Sequence, residues 1–353
     1  MVELIRRLDR ETCDVHVACF RAEGPWLGAA KAAATSFADF PLGSLMSPHA
    51  AAQAARLGRW FRDRGVQVVQ TCDLYGNIVA LPAAALARVP VRIGSRRGIV
   101  SPTHVRGLLP LQRAGYVAAH RVVAKSAAAA ARLREEYVPA RKIVVIPNGI
   151  DLPAATARAP RTGPAVITTV ANLRRGKGHD VLLRAAADVL RRYPDVRFQL
   201  VGDGPLRPAL EREAGALGIA DRVDFLGHRD DVADLLRASD AFAFPSLMEA
   251  FPNAVMEAMS MALPVVATRV GGIPELVDDR ENGRLVEPGD PAALANALVE
   301  VLEAPEAAAA LGAAAYGTVR ARYSFERMTR AFERLYQDLL QARLSNPLPI
   351  RAS

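Results

Sequence analysis

The apolar positions of the chain switch repeatedly between the spacing of an amphipathic helix and the alternation of a strand. Near the N-terminus, VELIRRL has helical spacing, CDVHVACF alternates, HAAAQAARLGRWFRDRG predicts an amphipathic helix and VQVVQT predicts a β-branched strand. The series continues with the strands VPVRIGS and HRVVAKS, the helix SAAAAARLREEY and the strand KIVVIPNGID. Helices that alternate with short apolar strands are typical of βα units on a parallel sheet.

A second series of the same kind follows residues 152–164, a stretch with prolines and no apolar period that predicts a linker. Its predicted strands are AVITTVAN, RFQLVGDG, RVDFLG, AFAFPS, LPVVAT and GRLVE, and its helices include HDVLLRAAADVLRRY and AVMEAMSMA. The sequence therefore predicts an α/β protein with two doubly wound domains, residues 1–155 and 156–325, that face each other across a cleft. Ligands of such folds bind near the carboxyl ends of the strands.

Length and composition agree with two domains. At 353 residues, with 51% hydrophobic and 23% charged residues, the chain exceeds one ordinary core and carries no long polar tract. A doubly wound domain normally opens with a buried strand, but Met1 leads straight into a helix, so the first domain is expected to lack that strand. The N-terminus is charged from Glu3 onward and no apolar run reaches about 18 residues, which predicts a cytoplasmic protein.

Charge and cysteine content bear on partners and compartment. Residues 1–150 carry 21 Lys+Arg against 10 Asp+Glu, and the rest of the chain carries 24 against 27. A basic half favours an anionic partner such as a membrane surface or a lipid-linked phosphate, and it equally fits an arginine-rich solvated face. No cluster of aromatic and basic residues indicates a nucleic-acid partner. Cys13, Cys19 and Cys72 lack metal-ligand spacing and are expected to be buried thiols in a reducing compartment.

The stretch SLMEAFPNAVMEAM places two glutamates around a predicted helix start. With Pro252 at about the first helical position, the free amides from Phe251 to Ala254 would form an anion site. Glu257, one turn later, is placed to accept both hydroxyls of a ribose diol, and Glu249 is placed to reach a sugar on the far phosphate. Two alternatives remain: a glycosidase pair, which the intervening anion site disfavours, and two solvated helix glutamates.

Two further turns follow predicted strands. In TVANLRRGKGHDVLL, Arg174 and Lys177 lie on a strand-to-helix turn, where the Lys177 ammonium would neutralise a diphosphate. In LVGDGPLRPAL, Gly202 and Asp203 lie on another such turn. It is not a dinucleotide fingerprint, because Arg207 stands where that pattern needs glycine. For the Lys177 turn, an ordinary surface turn is the alternative.

The ordered series ANLRRGKGHD, LVGDGPLRPAL, RVDFLGHRDDV, PSLMEAFPNAVMEAM and LPVVATRVGGIPELV resembles the donor half of retaining glycosyltransferases of family 4, the group 1 type. The resemblance covers about residues 165–335, and RVPVRIGSRRG, VVAKS and KIVVIPNGID extend it more loosely to the first half. It implies the GT-B fold, in which two Rossmann-like domains face each other. It also implies that a C-terminal helix, residues 326–345, crosses back to the first domain.

Carried over to this chain, the resemblance implies that Lys177 and Arg174 bind the donor diphosphate and act in catalysis. It implies that Glu257 holds the ribose and that Glu249, also catalytic, holds the donor sugar, while the DFLGH turn meets the base. The other donor-binding residues that it implies are Asn172, Gly202, Asp203, Leu226, Gly227, Ala250, Phe251, Pro252 and Asn253.

The acceptor side, to which the resemblance assigns Arg97 and Asp73, departs from the family pattern. Many members have a histidine before a glycine where this chain has Arg97 before Gly98. On the donor side, the family commonly has an arginine five residues before the lysine, where Asn172 stands here, and Arg174 is expected to substitute for it. The family's first glycine-rich loop, which borders the acceptor, would be absent together with the opening strand.

The reaction that the resemblance implies is transfer of a sugar from a UDP- or GDP-linked donor to an acceptor hydroxyl, with retention of configuration. Neither a metal nor a cofactor is expected, because Lys177, Arg174 and the helix amides supply positive charge. The expected acceptors are saccharides or lipid-linked groups in cell-surface polysaccharide, lipopolysaccharide or glycolipid synthesis, with peripheral contact to the inner face of the membrane. The alternatives are a sugar-nucleotide epimerase, a truncated nucleotide-sugar-binding protein without activity, and a nicotinamide oxidoreductase, which the absent G-x-G-x-x-G turn disfavours.

Overall fold

The computed structural model describes residues 1–45, 47–96, 107–153 and 163–345. The chain forms two compact units. The first comprises Met1–Pro147 and Phe325–Ser353, and the second comprises Asn148–Ser324. Most of the stretch from which the sequence predicts a linker lies outside the described residues.

Helices and strands alternate through the described part of both units. The strands are β1 (His16–Cys19), β2 (Ser36–Asp39), β3 (Val68–Gln70), β4 (Val91–Arg96), β5 (Arg121–Ala124), β6 (Ile143–Val145), β7 (Val166–Val170), β8 (Arg197–Val201), β9 (Val223–Gly227), β10 (Ala241–Phe244), β11 (Val265–Thr268) and β12 (Arg284–Val286). The α-helices are α1 (Val2–Arg7), α2 (Leu27–Ala32), α3 (Pro48–Asp63), α4 (Leu81–Leu86), α5 (Leu109–Ala118), α6 (Ala127–Glu135), α7 (His179–Arg192), α8 (Arg207–Ala216), α9 (Val232–Arg237), α10 (Asn253–Ser260), α11 (Pro291–Glu303), α12 (Pro305–Arg322) and α13 (Phe325–Leu344).

Two parallel sheets lie in the described part of the first unit. Strands β3, β4, β5 and β6 are hydrogen-bonded in that order, and β1 pairs with β2 in a separate two-stranded sheet. Strand β5 shows that both faces of the larger sheet are covered, because successive side chains of a strand point to opposite faces. Val123 packs with Leu4 of α1 and Phe332 of α13, whereas Val122 packs with Leu133 of α6. The C-terminal helix α13 is thus part of the first unit's core.

The second unit contains a six-stranded parallel sheet in the order β12-β11-β10-β7-β8-β9. The chain runs outward from β7 through β8 to β9, and then returns to lay β10 against the other side of β7. Strand β10 is buried on both faces. Ala241 and Ala243 pack in the cluster that includes α7 and α11, while Phe242 and Phe244 pack in the cluster that includes α10 and α12.

The predicted α/β class is confirmed, because parallel strands alternate with helices in both units. One expectation is wrong. Cys13, Cys19 and Cys72 are each partly exposed, and none of the three is buried. The reason is clearest for Cys19, which ends β1, since a sheet of only two strands leaves much of its surface uncovered. Both strands of that sheet consist mainly of half-buried residues.

Candidate active site

The carboxyl ends of β7 and β10 mark the point where the strand order of the second unit reverses. Helix α7 follows β7 and α10 follows β10, and these helices pack on opposite faces of the sheet. The two loops therefore diverge and leave a crevice between them, which is where open α/β sheets bind ligands. Residues 171–178 form the first loop and residues 245–252 the second, and they contain Lys177 and Glu249.

Lys177 and Glu249 form an ion pair that joins the two loops. Their side chains are 16% and 11% exposed. The Lys177 ammonium also lies 5.7 Å from the centre of the Phe244 ring, at the end of β10. The hydroxyl of Ser246 donates to the carbonyl of Gly176 at 3.1 Å, so backbone and side-chain contacts link the same loops. The structure therefore brings together two of the three predicted catalytic side chains.

Two glycines with positive φ allow the surrounding loops to approach this pair closely. Gly178 has φ +70°, and a Cβ there would overlap the carbonyl oxygen of Pro245. Gly271, after β11, has φ +54°, and a Cβ there would overlap the carbonyl oxygen of Glu249. A larger residue at either position would push these loops apart, in addition to the strain of its own backbone.

Helix α10 begins one residue later than predicted. Pro252 is its N-cap, with φ −81° and ψ 118°, and Asn253 is the first helical residue. Proline suits both positions, since it has no N–H and its φ is fixed. Ala250 and Phe251 are buried, and the ring centroids of Phe251 and Tyr323 are 5.5 Å apart. The amides of a first helical turn lack acceptors within the helix, so this terminus can offer N–H groups to an anion.

Glu257 lies one turn into α10, and its carboxylate has no hydrogen-bond or ion-pair partner within the described part of the chain. Burial raises the pKa of this carboxyl above its ordinary value, because removal from water disfavours the charged form. Glu257 is only partly exposed, and carboxylates that are largely removed from water usually have hydrogen-bond donors around them. The two hydroxyls of a ribose would supply such donors, which fits the role that the sequence predicts.

The loop after β8 packs between the ends of β7 and β9. Gly202 has φ +132°, its amide donates to the carbonyl of Gly227 at 2.8 Å, and a Cβ on it would overlap the carbonyl of Ala171. Asp203 is exposed and Leu226 is partly exposed. The four predicted donor-side residues of this region therefore lie together at the carboxyl ends of β8 and β9.

Asn172 and Arg174 lie exposed on the turn between β7 and α7. The Arg174 amide donates to the carbonyl of Asn172 at 2.8 Å, and the Lys177 amide donates to the carbonyl of Arg174 at 3.3 Å. These bonds fix the backbone of the turn. No carboxylate among the described residues pairs with the Arg174 guanidinium. This guanidinium is therefore available, together with Lys177, to bind an anionic ligand.

His179 is a site residue that the sequence reasoning did not single out. It is the first residue of α7, is 2% exposed, and neither ring nitrogen has a hydrogen-bond partner in the described part of the chain. Burial and the nearby Lys177 ammonium lower its pKa to about 4, so the ring is neutral at neutral pH. Its position beside the lysine turn was visible in the sequence, but its burial and its missing partners were not.

The acceptor-side predictions are placed only in part. Asp73 lies just beyond β3, and its Oδ1 accepts a hydrogen bond from the Gly76 amide at 2.7 Å, which caps the π-helical turn Gly76–Ala80 that leads into α4. Arg97 and Gly98 lie outside the described residues. The geometry thus gives Asp73 a local structural contact.

Two acidic residues of other loops in the second unit are engaged by nearby groups. Asp231 forms an ion pair with Arg229 at 2.6 Å, and Asp279 accepts from the Leu285 amide at 2.8 Å. Among the residues that the structure describes, no three His, Cys, Asp or Glu side chains come close enough to share a metal ion. The helices within those residues include none with the length and apolar character that crossing a membrane requires.

Several solved structures share this fold across nearly the whole chain. HepE of Anabaena in complex with UDP aligns with a TM-score of 0.84 and 23% identity over 96% of this chain and 94% of that chain. The lipopolysaccharide outer core galactosyltransferase WaaB, in its apo form, aligns with a TM-score of 0.77 and 18% identity over the same shares. These likenesses confirm the predicted GT-B fold.

Sequence relatives cover a smaller part of their own length. N-acetyl-alpha-D-glucosaminyl L-malate synthase of Bacillus anthracis is 33% identical over 50% of this chain and 46% of its own. D-inositol 3-phosphate glycosyltransferase of Corynebacterium urealyticum is 38% identical over 49% of this chain and 43% of its own. The chain therefore spans about half the length of these curated relatives.

One relative aligns over more of both chains. The GDP-mannose-dependent alpha-(1-6)-phosphatidylinositol monomannoside mannosyltransferase of Mycolicibacterium smegmatis is 33% identical over 67% of this chain and 68% of its own. The family model described as Glycosyltransferase Family 4 matches residues 1–153, and the one described as Glycosyl transferases group 1 matches residues 164–304. The chain belongs to glycosyltransferase family 4, of the group 1 type.

Proposed function

We propose that this protein transfers a sugar from a nucleotide-diphosphate donor to an acceptor hydroxyl, with retention of anomeric configuration and without a metal ion. One observation carries the proposal. The Lys177–Glu249 pair lies at the strand-order reversal and joins two loops. The second loop leads into the α10 terminus and to Glu257, whose carboxylate has no partner among the described residues. This combination offers a cation, free amides and two carboxylates within one loop cluster.

The donor fits this cluster group by group. The Lys177 ammonium and the first-turn amides of α10 would bind the diphosphate, since both favour negative charge. Glu257 would accept the ribose hydroxyls, and Glu249 would accept hydroxyls of the sugar once the diphosphate competes for Lys177. HepE was solved with UDP-glucose and the Mycolicibacterium relative is GDP-mannose-dependent, so UDP- and GDP-linked sugars are the donors to test.

The chemistry follows from where charge develops. As the bond between the sugar and the diphosphate breaks, negative charge grows on the leaving diphosphate and the sugar becomes cation-like. Preplaced positive groups stabilise that charge, and removing one such donor typically costs about 2.7 to 4 kcal/mol. Lys177, Arg174 and the α10 amides would provide this stabilisation. The carboxylate of Glu249 would lie near the positive charge on the sugar.

The acceptor belongs to the class of saccharides and lipid-linked groups, as in synthesis of cell-surface polysaccharide, lipopolysaccharide or glycolipid. Relatives are named for an inositol phosphate and for a phosphatidylinositol mannoside, which supports polyol and glycolipid acceptors. The excess of Lys+Arg over Asp+Glu in residues 1–150 supports a peripheral contact with an anionic membrane.

The direct test replaces Lys177 with alanine and measures turnover with a panel of UDP- and GDP-linked sugars and polyol acceptors. We expect Lys177→Ala to lower kcat about 10²- to 10³-fold, because it removes a charge that acts on the leaving group. Arg184→Ala is the matched control, since Arg184 pairs with Glu213 in the same unit but is 59% exposed. Equal activity of the two variants would overturn the donor site.

Two further readouts define the reaction. Excess EDTA should leave the rate unchanged, and a loss of activity that magnesium restores would contradict the metal-free scheme. The anomeric configuration of the product, measured by NMR, should equal that of the donor. An epimerase would instead release its products without an acceptor, so dependence of product formation on the acceptor is required.

A further inference from the structure

A basic pocket lies at the amino ends of strands β4, β5 and β6 in the first unit. Its volume is about 400 Å³. It is lined by Arg92, Val117, Ala118, Ala119, His120, Arg121, Arg141, Lys142 and Arg343. The side chains that line it come from the strand starts, from the end of α5 and from the end of α13. The fold therefore gathers five cationic side chains from four parts of the chain, and these parts are close neighbours only in the folded state.

Backbone carbonyls hold several of these cations in place. The Lys142 ammonium donates to the carbonyls of Tyr116 and Val117 at 3.1 and 3.0 Å, at the end of α5. The Arg92 guanidinium donates to the carbonyls of Val89 and Ala118, each at 2.7 Å. The C-terminal end of a helix favours cations, so these contacts fix the two side chains at the pocket wall.

No carboxylate in the described part of the chain neutralises these cations. Within the described residues, none of the five cations forms an ion pair with an aspartate or glutamate. Burial is the main cause that lowers the pKa of Arg92 and Lys142, and repulsion from neighbouring cations of the pocket adds to it. Burial and four of these cations also lower the pKa of His120 to about 4, so this ring is neutral. Groups that repel one another in a concave site are stabilised by an anion that enters it.

We propose that this pocket binds a phosphate-bearing anion, either free in solution or as the headgroup of a lipid. A phosphate group carries several acceptor oxygens and multiple negative charge, which match clustered guanidinium and ammonium donors. A concave pocket of this size admits one such group, whereas a flat membrane surface would not enter it. The site is at the amino ends of the strands, whereas Asp73 lies beyond the carboxyl end of β3, so the pocket is separate from the predicted acceptor side.

Two double variants test the pocket in the full-length protein. Arg121→Gln with Arg141→Gln removes two charges from it. Arg59→Gln with Arg62→Gln removes two charges from exposed positions of α3 in the same unit and serves as the control. Both are made in a Lys177→Ala background, so that the proposed donor site contributes little to phosphate binding.

The first probe is pyrophosphate, titrated by calorimetry at low ionic strength. We expect the pocket variant to bind it at least about tenfold more weakly than the control variant, since each charge-assisted contact contributes substantially. The second probe is vesicles of phosphatidylcholine with and without phosphatidic acid, measured by co-sedimentation. A difference only with pyrophosphate assigns the ligand to solution, and a difference with phosphatidic acid vesicles assigns it to a lipid.

Equal binding of both probes by the two variants would overturn the proposal. Misfolding of the pocket variant is not expected, because it relieves repulsion, so its Tm without phosphate should equal or exceed that of the control. Arg343→Gln, at the end of α13, provides an independent second variant that should weaken binding in the same direction.

Discussion

Glu257 and His179 are polar side chains of the second unit that lack a partner among the described residues. Leaving a fully buried polar group unsatisfied costs about 1 to 3 kcal/mol, which applies to His179, whereas Glu257 is only partly buried. His179 lies in the loop cluster around Lys177, and Glu257 lies one helical turn beyond that cluster. A bound nucleotide sugar would supply the missing contacts. Ligand hydroxyls are the best match for Glu257, because its carboxylate offers acceptor oxygens and partial burial raises its pKa.

Replacing Glu257 with glutamine should stabilise the protein and weaken donor binding. The pKa of Glu257 is raised in the folded state, so the stability it contributes is lost as the pH rises through that value, and at neutral pH its charge opposes folding. Glutamine carries no charge but offers only one acceptor to a diol. We expect a higher Tm at about pH 7 and a larger Kd for the donor nucleotide. A lower Tm with unchanged affinity would contradict this.

Replacing His179 with leucine should reduce the loss of unfolding free energy that occurs as the pH falls below neutral. The pKa of His179 is lowered to about 4 in the folded state from its ordinary 6.5. Stability from this group is therefore present above pH 6.5 and is lost as the pH falls toward 4, by about 1.4 kcal/mol per pH unit. Urea unfolding of both proteins at about pH 7 and about pH 5 measures this. The wild type should lose more stability than the variant, and equal losses would refute the assignment.

At the scale of the elements, the candidate site depends on loops that pack backbone against backbone. Gly178 and Gly271 each occupy a position with positive φ where a Cβ would overlap a carbonyl oxygen of the β10–α10 loop. The sequence motifs contain these glycines because the loop after β10 has neighbours on two sides. Their role is to position Glu249, which none of the individual loops could do alone.

Alanine substitutions at Gly271 and at Gly289, which lies elsewhere in the second unit, distinguish backbone strain from steric overlap. Gly271 and Gly289 both have positive φ, +54° and +78°, but a Cβ at Gly289 would meet nothing within 4 Å. Gly289→Ala should therefore cost only the conformational strain, about 1 kcal/mol. Gly271→Ala should lower the free energy of unfolding by more than Gly289→Ala does. It should also lower turnover, because the added Cβ displaces Glu249. Thermal unfolding and the transferase assay measure both effects, and similar results for the two variants would show that the loop adapts freely.

At the scale of the whole molecule, the chain ends in the unit where it begins. Helix α13 contributes Phe332 to the cluster that contains Leu4, Val91 and Ile93, and the Tyr336 hydroxyl donates to Gln70 at 2.5 Å. The first unit is therefore built from two distant parts of the chain. The second unit, Asn148–Ser324, is continuous.

Phe332→Ala should destabilise the first unit selectively. Phe332 is 5% exposed in the core of that unit, and truncating such a side chain typically costs about 3 to 5 kcal/mol. Leu344→Ala on the same helix is the control, since Leu344 is 81% exposed. Hydrogen exchange should show faster exchange in β4 and β5 and unchanged exchange in β7 and β10. Equal acceleration in both units would show that they unfold together.

Much of the fold could be predicted from the chain itself. The helix α7 and the strands β7 to β11 follow from apolar spacing, because a half-buried helix and a buried strand each impose a period on the sequence. Strand β2 (Ser36–Asp39) was not predicted, since its four residues pair only with β1 and are only partly buried. Pro252 was placed one residue too far into its helix, because proline fits either position.

The order of residues along the chain was enough to predict the alternation of strands and helices, the family, and the motifs that carry Lys177, Glu249 and Glu257. Apolar periods and short motifs involve residues that are close together in the sequence, so they can be recognised without knowing the fold. Folding was needed to pair Lys177 with Glu249, to bury His179 without a partner among the described residues, and to bring five cations around one pocket. These facts depend on contacts between residues far apart in the chain, and such contacts exist only after the sheets have set the strand order.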